Sequence, residues 1–388
     1  MKEPKIRFNG FEGEWEEHSL SENEFSIVAG GDIDKTNLKN SGKFPVIANA
    51  ITNDGILGYY ENSYRVQEPA VTVTGRGEVG IAVARHYSFT PVVRLLSIKS
   101  PHNVDFLANA INCYKVPVES TGVPQLTTAK LQEYRIPMPR TIEEEDAIAS
   151  FFTTIDAQIS ASTSRLASLK QIKAASLQAM FPQEGETVPK LRFKGFEGEW
   201  ETPSIAEVFE LRNGYTPSKA IDAFWEGGTI PWFRMEDIRE NGGILHDAIQ
   251  HITPLGVKGN GLFEKNSIIL STTATIGVHA ILIVDSLANQ QFTNFSIRKS
   301  LKSSYDPMFV YYSFFGIDEW SKKNTNSGGL LSVNIPLLLK QPFLTPSFAE
   351  QCAIASYFTN LDRQITLQTQ RLEKLKQIKA ACLDKMFV

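Results

Sequence analysis

The sequence contains an internal repeat. The segment PKIRFNGFEGEWEE, beginning at Pro4, recurs 185 residues later as PKLRFKGFEGEWET, and AIASFFTTIDAQI, beginning at Ala147, recurs 206 residues later as AIASYFTNLDRQI. The inserts between these repeated segments, roughly 18–140 and 203–345, show no such identity to one another. Repeated segments around unlike inserts predict two copies of one architecture, in which each insert binds a different ligand of the same kind.

Each copy ends in an apolar stripe of helical spacing. From Ile148 the apolar residues recur mostly at intervals of three and four, and the second copy repeats this stripe from Ile354. Thr141 and Ser347 are candidate N-caps, each followed by Glu three residues on. The pattern predicts helices of about 40 residues, on the order of 60 Å long. A stripe of this length needs a partner helix, so we expect the two helices to pack against each other.

The predicted fold class is α+β. We expect two globular α/β domains with twisted β-sheets, separated by two long antiparallel coiled-coil helices and related by a pseudo-two-fold internal repeat. The predicted boundaries are 1–140 for the first domain, 141–182 for the first helix, 183–345 for the second domain and 346–388 for the second helix. The sheets are predicted from short β-rich runs that alternate with Gly, Asn and Asp turns.

Composition excludes several other classes of protein. Hydrophobic residues make up 42% of the chain and charged residues 21%, which is typical of globular proteins. The start, MKEPKIRFNG, lacks the apolar segment of a signal peptide, and no apolar run approaches the roughly 20 residues of a membrane span, so we expect a cytoplasmic protein. The three cysteines form no CxxC pair and are expected to be reduced thiols.

Loops of the second insert combine aromatic, hydroxyl, amide and basic side chains, a mixture that suits contacts with DNA phosphates and base edges. The candidate contacts are Tyr215, Thr216, Ser218, Lys219, Arg234, Thr273, Asn289, Gln290 and Gln291. Other interpretations stay open: core packing for Trp232, a polar turn for Asn-Gln-Gln, and ordinary surface charge for Lys219 and Arg234. The net charge of −4 argues against a protein that coats DNA through bulk positive charge, but it permits a local basic face.

In the first insert, GRGEVG from Gly75 matches the GxGxxG pattern of dinucleotide-binding loops. We reject that interpretation, because β-branched residues of short period follow where the phosphate site requires a helix N-terminus. Comparison with STTATIG suggests that both segments are strand-to-strand loops, with Gly80 and Gly277 as matching turns. The candidate DNA contacts in this insert are Lys35, Thr74, Arg76 and Arg85. A counterpart of NGYTPSK, which begins at Asn213, is not evident there.

No catalytic, cofactor-binding or metal-binding residues are predicted. The chain lacks an adenine-methylase tetrapeptide, a Walker loop and HExxH. The six histidines do not cluster with acidic residues at metal-ligand spacing along the sequence.

The double set of repeated segments, RFxGFEGEW before each insert and AIASxF with LKQIKAA after it, resembles the conserved regions of type I restriction-modification specificity subunits. NGYTPSK, IPWFRMEDI and STTATIG resemble segments of that family's target-recognition domains. The resemblance implies a DNA-reading, non-catalytic subunit that holds two adenine-N6 methyltransferase subunits, and optionally two restriction subunits, on a bipartite, asymmetric double-stranded DNA site. S-adenosylmethionine and ATP with Mg²⁺ would belong to those partners.

The repeated aromatic residues are expected to pack the domains against the helices, with contact to a methyltransferase subunit as the alternative. These residues are Phe8, Phe11, Trp15, Phe193, Phe196 and Trp200. Because the DNA major groove repeats every ~34–36 Å, long helices could hold two recognition domains about one turn apart. The alternative function is a coiled-coil scaffold whose two heads bind proteins or glycans.

Overall fold

The computed structural model describes residues 3–114, 125–326 and 331–387. The chain divides into two compact units, the first made of Met1–Arg165 with Gln368–Val388 and the second of Leu166–Leu367. Each unit therefore contains one insert and a part of each long helix. The boundaries predicted from the sequence treat the helices as separate segments, whereas the structural division passes through both of them.

The first unit contains two β-sheets, a separate strand pair and three helices. Its strands are β1 (Glu16–Ser19), β2 (Ser26–Ala29), β3 (Phe44–Ile47), β4 (Ile56–Tyr60), β5 (Ala70–Thr74), β6 (Ala82–Arg85), β7 (Thr90–Pro91), β8 (Leu95–Lys99) and β9 (Arg135–Met138), and its helices are α1 (Val104–Cys113), α2 (Thr128–Gln132) and the start of α3 (Ile142–Met180). The strand orders are β2-β8-β5-β6 and β4-β3-β7, and β1 pairs with β9. Every residue of the central strand β5 is buried, and α1 contacts β5 and β6. Apolar residues on both faces of β5 are therefore part of the domain core.

The second unit has a similar arrangement with additional elements. They are α4 (Ile205–Val208), β10 (Phe209–Asn213), β11 (Ile230–Phe233), α5 (Met235–Asn241), β12 (Ile244–Leu245), β13 (His251–Ile252), β14 (Ile268–Ser271), β15 (His279–Leu282), β16 (Leu287–Ala288), β17 (Phe292–Ile297), α6 (Pro307–Lys323), β18 (Thr325–Asn326), β19 (Ser332–Val333), α7 (Ile335–Leu338) and α8 (Phe348–Met386). The strand orders are β10-β17-β14-β15-β12 and β13-β11-β16, with β18 paired to β19.

The two inserts share one strand topology although their sequences differ. Thr74 of β5 lies opposite Leu95 of β8, and Ser271 of β14 lies opposite Phe292 of β17, at corresponding places in the two sheets. The loops GRGEVG and STTATIG each connect two antiparallel strands, as predicted, and their last glycines, Gly80 and Gly277, both have positive φ, at 86° and 72°. The second insert is longer because α5 and β12 follow β11, and because α6 has 17 residues where α1 has 10.

The helix pair makes equivalent contacts within each unit. In the first unit, Lys379 Nζ lies 2.6 Å from Asp156 Oδ1. In the second unit, Lys173 Nζ lies 2.6 Å from Asp362 Oδ1, and each residue of this pair stands 206 positions from its counterpart in the other. The Gln368 amide of α8 donates to a carbonyl of α3 near residue 162, and contacts that advance along α3 recede along α8. The antiparallel pairing predicted from the stripes is therefore confirmed.

Both long helices begin where the sequence predicts. The hydroxyls of Thr141 and Ser347 each accept the N–H of the Glu three residues later, at 3.4 Å. α3 ends at Met180, two residues before Pro182. Within the described ranges, no helix is at once long and apolar enough to cross a lipid bilayer.

Candidate nucleic-acid interface

In the second unit, the predicted residues gather at one edge of the main sheet. β10 and β14 both pair antiparallel with β17, so they run in the same direction and end at the same edge. The turn that leads into β17 enters at this edge, and β11 ends beside it because β11 runs parallel to β16. We define the loop edge of the second unit as residues 213–219, 234, 272–275 and 289–291.

A glycine determines how the chain leaves β10. The N–H of Gly214 donates to the carbonyl of Phe292 at 2.8 Å, and the N–H of Tyr215 donates to a β16 carbonyl at 2.9 Å. A Cβ at Gly214 would lie 2.1 Å from the carbonyl oxygen of Asn289, so a larger residue does not fit there. This close approach holds segment 213–219 against the turn 289–291.

Buried aromatic rings support the loop edge from below. Trp232 is 2% exposed and is therefore a core residue, and its Nε1–H donates to the carbonyl of Tyr215 at 2.9 Å. Trp225 packs edge-on against Trp232, with the ring centroids 5.1 Å apart. The Tyr215 hydroxyl accepts the N–H of Lys258 at 2.7 Å. Tyr215 thus serves mainly to position the loop, because its hydroxyl has an intramolecular partner.

Cations lie over this aromatic support. Lys219 is exposed, and its Nζ lies 6.0 Å from the ring centroid of Trp225, whose Nε1–H donates to the carbonyl of exposed Ser218. The guanidinium of Arg234, with its side chain 22% exposed, lies 5.9 Å from the ring of Trp232. Cation–π contacts hold both charges at the protein surface without neutralising them, so each remains available to a phosphate.

Amide and hydroxyl groups complete the loop edge. The Oγ1 of Thr216 lies 2.6 Å from Oε1 of exposed Gln290, so Thr216 can donate to that oxygen. The Oδ1 of Asn289 accepts the N–H of Gln291 at 3.1 Å, which makes the Asn-Gln-Gln segment a hydrogen-bonded turn. The residue before half-buried Thr273 donates its N–H to the Gln291 carbonyl at 2.9 Å. The structure therefore brings all the residues predicted in this insert to one edge.

The first unit has the counterpart of NGYTPSK that the sequence comparison did not find. The N–H of Gly30 donates to the carbonyl of Leu95 at 2.7 Å, and that of Gly31 donates to the carbonyl of Pro91 at 3.3 Å. A Cβ at Gly30 would lie 2.1 Å from the Val92 carbonyl oxygen, the same distance as for the corresponding atoms in the second unit. The expectation of a missing counterpart was wrong because the two segments share backbone geometry around a glycine, and not side chains.

Lys35 and Arg76 lie in the loops that follow β2 and β5, and both are exposed. β2 and β5 both pair antiparallel with β8, so these loops leave the same edge of the sheet. Next to Lys35, the carboxylate of Asp34 accepts hydrogen bonds from Thr36 and from the amide two residues further on, which lower its pKa. Arg76 forms a β-bridge with Gln125, as Thr273 does with a residue of β19. Residues 29–35, 75–79 and 92–94 form the loop edge of the first unit.

Thr74 and Arg85 lie inside the first domain. The Thr74 hydroxyl accepts the N–H of Ile81 at 3.0 Å. The Arg85 side chain is 4% exposed, lies 2.6 Å from an Asp54 carboxylate oxygen and donates to Thr72 at 3.0 Å. Both side chains line a cavity of about 140 Å³. The structure therefore corrects the expectation for these two residues, because their polar groups are paired below the surface and do not face solvent at the loop edge.

The sequence analysis missed Arg94. This residue precedes β8 as Gln291 precedes β17, and it is exposed with a positive φ of 72°. Asn49 positions this turn, since its Nδ2 donates to the carbonyl of Val93 at 3.0 Å while its Oδ1 accepts the N–H of Gly75 at 2.9 Å. Only an alignment by strand position could have found Arg94, because its type and local sequence do not resemble those of Gln291.

The repeated aromatic segments pack on the long helices. In the first unit, Phe8 packs edge-on against Phe151, with centroids 5.7 Å apart, and buried Trp15 packs against Phe106 at 5.8 Å. Phe11 is half-buried, and its N–H donates to the carbonyl of Phe8 at 3.4 Å. These contacts are intramolecular, and they join the start of the chain to the first turns of α3.

The second unit repeats this packing. Phe193 packs edge-on against Tyr357 at 5.9 Å, Trp200 packs against Phe309 at 5.9 Å, and Phe196 is half-buried. In both units a bidentate ion pair accompanies the rings: Arg7 with Glu144 and Arg192 with Glu350, every N–O distance being 2.7 Å. We call these the Arg–Glu pairs; both carboxylates are almost fully buried.

A cluster of histidines and acidic residues forms in the first unit, although the spacing along the sequence predicts none. His18, Glu22 and Glu24 direct one potential ligand atom each to a common place, with these atoms within 4.8 Å of one another. His102 lies beside them, 3.5 Å from Glu24. A hydrogen bond to Glu145 stabilises the cationic form of His102 and so raises its pKa. The sequence could not show this cluster because its members are far apart along the chain.

Two α+β domains, each with a loop edge of unlike polar side chains and each packed on a pair of long helices, define the molecule as a two-domain recognition protein. The type I restriction modification DNA specificity domain matches residues 12–171 and 197–377. The chain belongs to this family and contains two copies of its domain.

Known proteins support this assignment. The chain is 48% identical over 152 residues to the type I restriction enzyme EcoprrI specificity subunit of Escherichia coli, a match that covers 39% of this chain and 37% of that protein. It is 30% identical over 185 residues to the type I restriction enzyme MjaIX specificity subunit of Methanocaldococcus jannaschii, covering 46% and 42% respectively. The matches thus span less than half of the length of these curated relatives.

Solved structures share the fold over nearly the whole chain. The type I restriction-modification S subunit from M. genitalium superposes with a TM-score of 0.63 at 15% identity, covering 99% of both chains. A chain from a structure of type I restriction-modification complex assembly superposes with a TM-score of 0.55 at 16% identity, covering 97% of this chain and 98% of that one. At these identities the likeness concerns the fold alone.

Proposed function

We propose that this chain is the DNA sequence-specificity subunit of a type I restriction-modification complex, and that it reads a bipartite, asymmetric double-stranded DNA site. Each loop edge would read one half-site. With helices of 39 residues, about 58 Å long, between the domains, we expect the half-sites to lie about one DNA turn apart.

One observation carries the proposal. The two loop edges have equivalent backbone hydrogen bonds but different side chains: Val92, Val93 and Arg94 in the first unit occupy the positions of Asn289, Gln290 and Gln291 in the second. Equivalent backbones supply the same approach to a groove, and different side chains select different bases. A protein with two identical edges would be expected to read a symmetric site instead.

The side chains at the edges have the chemistry of base readout. Amides such as those of Asn289 and Gln290 pair bidentately with adenine, and guanidinium groups such as those of Arg76 and Arg94 pair with guanine. The exposed Lys35 and Lys219 would contact phosphates. Local cations of this kind reconcile DNA binding with a net charge of −4.

The rest of the proposal concerns the complex. We propose that the chain is non-catalytic and that its repeated segments and helices hold two adenine-N6 methyltransferase subunits and, where the system includes them, two restriction subunits. S-adenosylmethionine and ATP with Mg²⁺ would be bound by those subunits. The complex would act in the cytoplasm, together with the DNA that it reads. Two copies of each docking segment in one chain support the stoichiometry.

The decisive experiment is a selection of DNA from a random library by the purified complex. We expect two unlike half-sites at a fixed spacing, and replacement of residues 18–140 by the insert of another specificity subunit should change one half-site only. Selection of a single contiguous site, or a change in both half-sites, would refute the proposal. A scaffold with protein- or glycan-binding heads would show no affinity for DNA that falls steeply as the salt concentration rises.

Single substitutions test the assignment of edges to half-sites. Arg94→Ala should weaken discrimination in one half-site and Gln290→Ala in the other, each by ~1–3 kcal/mol per bidentate pair. Lys219→Ala should weaken binding to all sequences and reduce the salt slope by about 1. Lys299→Ala is the matched control, because this exposed lysine follows β17 at the opposite edge of the sheet and should leave binding unchanged.

A further inference from the structure

A group of four side chains in the first unit has the arrangement of a metal site. The Nδ1 of His18 lies 3.0 Å from Oε1 of Glu24 and 3.2 Å from Oε2 of Glu22, and the Nε2 of His102 lies 3.5 Å from Oε1 of Glu24. The Nδ1 of His18 can share only one proton, yet two carboxylates converge on it. A cation placed between these atoms would satisfy all of them together.

The fourth side chain has a buried nitrogen without a hydrogen-bond partner. His102 is 11% exposed, and its Nε2 is buried and accepts or donates no hydrogen bond among the described residues. Its other ring nitrogen, Nδ1, lies 2.8 Å from the buried carboxylate of Glu145. A carboxylate behind one imidazole nitrogen is the usual arrangement when the other nitrogen binds a metal, because it sets the tautomer and the orientation of the ring.

The separations between these atoms agree with tetrahedral coordination. Bonds of ~2.0–2.1 Å to Zn²⁺ at tetrahedral angles place neighbouring ligand atoms about 3.3 Å apart. The three separations given above, 3.0, 3.2 and 3.5 Å, bracket this value. Two imidazole nitrogens with two carboxylate oxygens suit Zn²⁺ and similar transition metals, whereas Mg²⁺ and Ca²⁺ prefer oxygen ligands throughout.

The second unit shows that the fold does not require these residues. Its N-cap residue Asp306 corresponds to the N-cap residue after His102, so Tyr305 stands at the position of His102. The sequence repeat places Pro203 at the position of His18 and Gln351 at that of Glu145. Gln351 preserves the structural hydrogen bond, because its Oε1 accepts the N–H of Asp306 at 3.0 Å just as Glu145 accepts the N–H of the residue after His102 at 2.9 Å. The charged and imidazole groups are thus an addition specific to the first unit.

We propose that His18, His102, Glu22 and Glu24 bind one divalent transition-metal ion, with Zn²⁺ as the best-fitting ion and Glu145 orienting His102. The ion would connect the turn after β1 to the start of α1. Through Glu145, which belongs to the first turn of α3, it would also attach the first domain to the long helix. The site is independent of DNA recognition.

Isothermal titration of the metal-free full chain with Zn²⁺ tests the proposal. We expect one Zn²⁺ per chain for the unmodified protein, and an increase in melting temperature with excess Zn²⁺. Mg²⁺ at millimolar concentration should neither bind at the site nor displace Zn²⁺. The variant Glu22→Gln/Glu24→Gln changes two partly exposed side chains without changing their size, so it should fold and lose the site, and Glu145→Gln alone should weaken binding 10–100-fold.

The controls come from the chain itself. His102→Tyr with Glu145→Gln installs the residues of the second unit, and this variant should remain folded by circular dichroism while losing Zn²⁺ binding. His86→Ala removes an exposed histidine that pairs with Asp105 in the same domain, and binding should be unchanged. The proposal is overturned if the unmodified chain binds no Zn²⁺ at a ratio of one, or if the folded variants bind it as tightly as the unmodified chain does.

Discussion

The Arg–Glu pairs allow a quantitative test of how each domain is attached to its helix. Substitution of Arg7 by Met keeps the length of the side chain but removes both hydrogen bonds of 2.7 Å to Glu144, which is 2% exposed. Removing one partner of a buried ion pair costs ~3–5 kcal/mol, because the remaining charge is desolvated and unpaired. The Nε1–H of Trp15, 3.3 Å from Glu144, retains part of the stabilisation, so we expect a value near the lower limit.

Hydrogen exchange measured by mass spectrometry resolves this effect by position. A loss of about 3 kcal/mol corresponds to roughly 100-fold faster exchange in the first turns of α3 if these open locally. Arg7→Met/Glu144→Gln should restore most of the protection, because no unpaired charge remains buried. The reasoning is refuted if exchange in these turns accelerates less than about threefold, or if the double substitution is as unprotected as the single one.

The second unit supplies the matched experiment. Arg192→Met should affect the first turns of α8 and leave those of α3 unchanged. The effect should be larger than that of Arg7→Met, since the indole nitrogen of Trp200 makes no hydrogen bond among the described residues, and Glu350 therefore lacks the additional donor that Glu144 has. Equal effects of both substitutions on both helices would contradict the assignment of each pair to its own unit.

Two further predictions concern single residues. Gly214→Ala should lower the free energy of unfolding by about 1–3 kcal/mol and weaken recognition of one half-site, because its Cβ would overlap a carbonyl oxygen, whereas Gly259→Ala, with no atom within 4 Å of the added carbon, should behave as the unmodified protein in urea unfolding and DNA binding. Burial and the carboxylate of Asp306 raise the pKa of the Cys352 thiol, so less thiolate is present at pH 7.5 and alkylation followed by mass spectrometry should be slower than that of a free cysteine peptide, with the difference diminishing as the pH rises above 9; equal rates at pH 7.5 would disprove this.

The sequence alone was sufficient for the repeated architecture and the two long helices. Their signals are local or exactly repeated: the apolar stripe has the helical period, and the caps Thr141 and Ser347 stand where the helices begin. The same holds for the two strand-to-strand loops, since Gly80 and Gly277 end them with positive φ. Such features depend on neighbours a few residues away, which a sequence displays directly.

Tertiary structure decided which polar residues face a ligand. Arg85 has the composition of a surface contact but is buried against Asp54, while Arg94 reaches the loop edge through a strand register that its local sequence does not reveal. The counterpart of NGYTPSK is recognisable only from the carbonyl that approaches Gly30. The candidate metal site likewise joins residues from His18 to Glu145. Burial, register and convergence of side chains arise from contacts between distant segments, and those contacts exist only once the chain has packed.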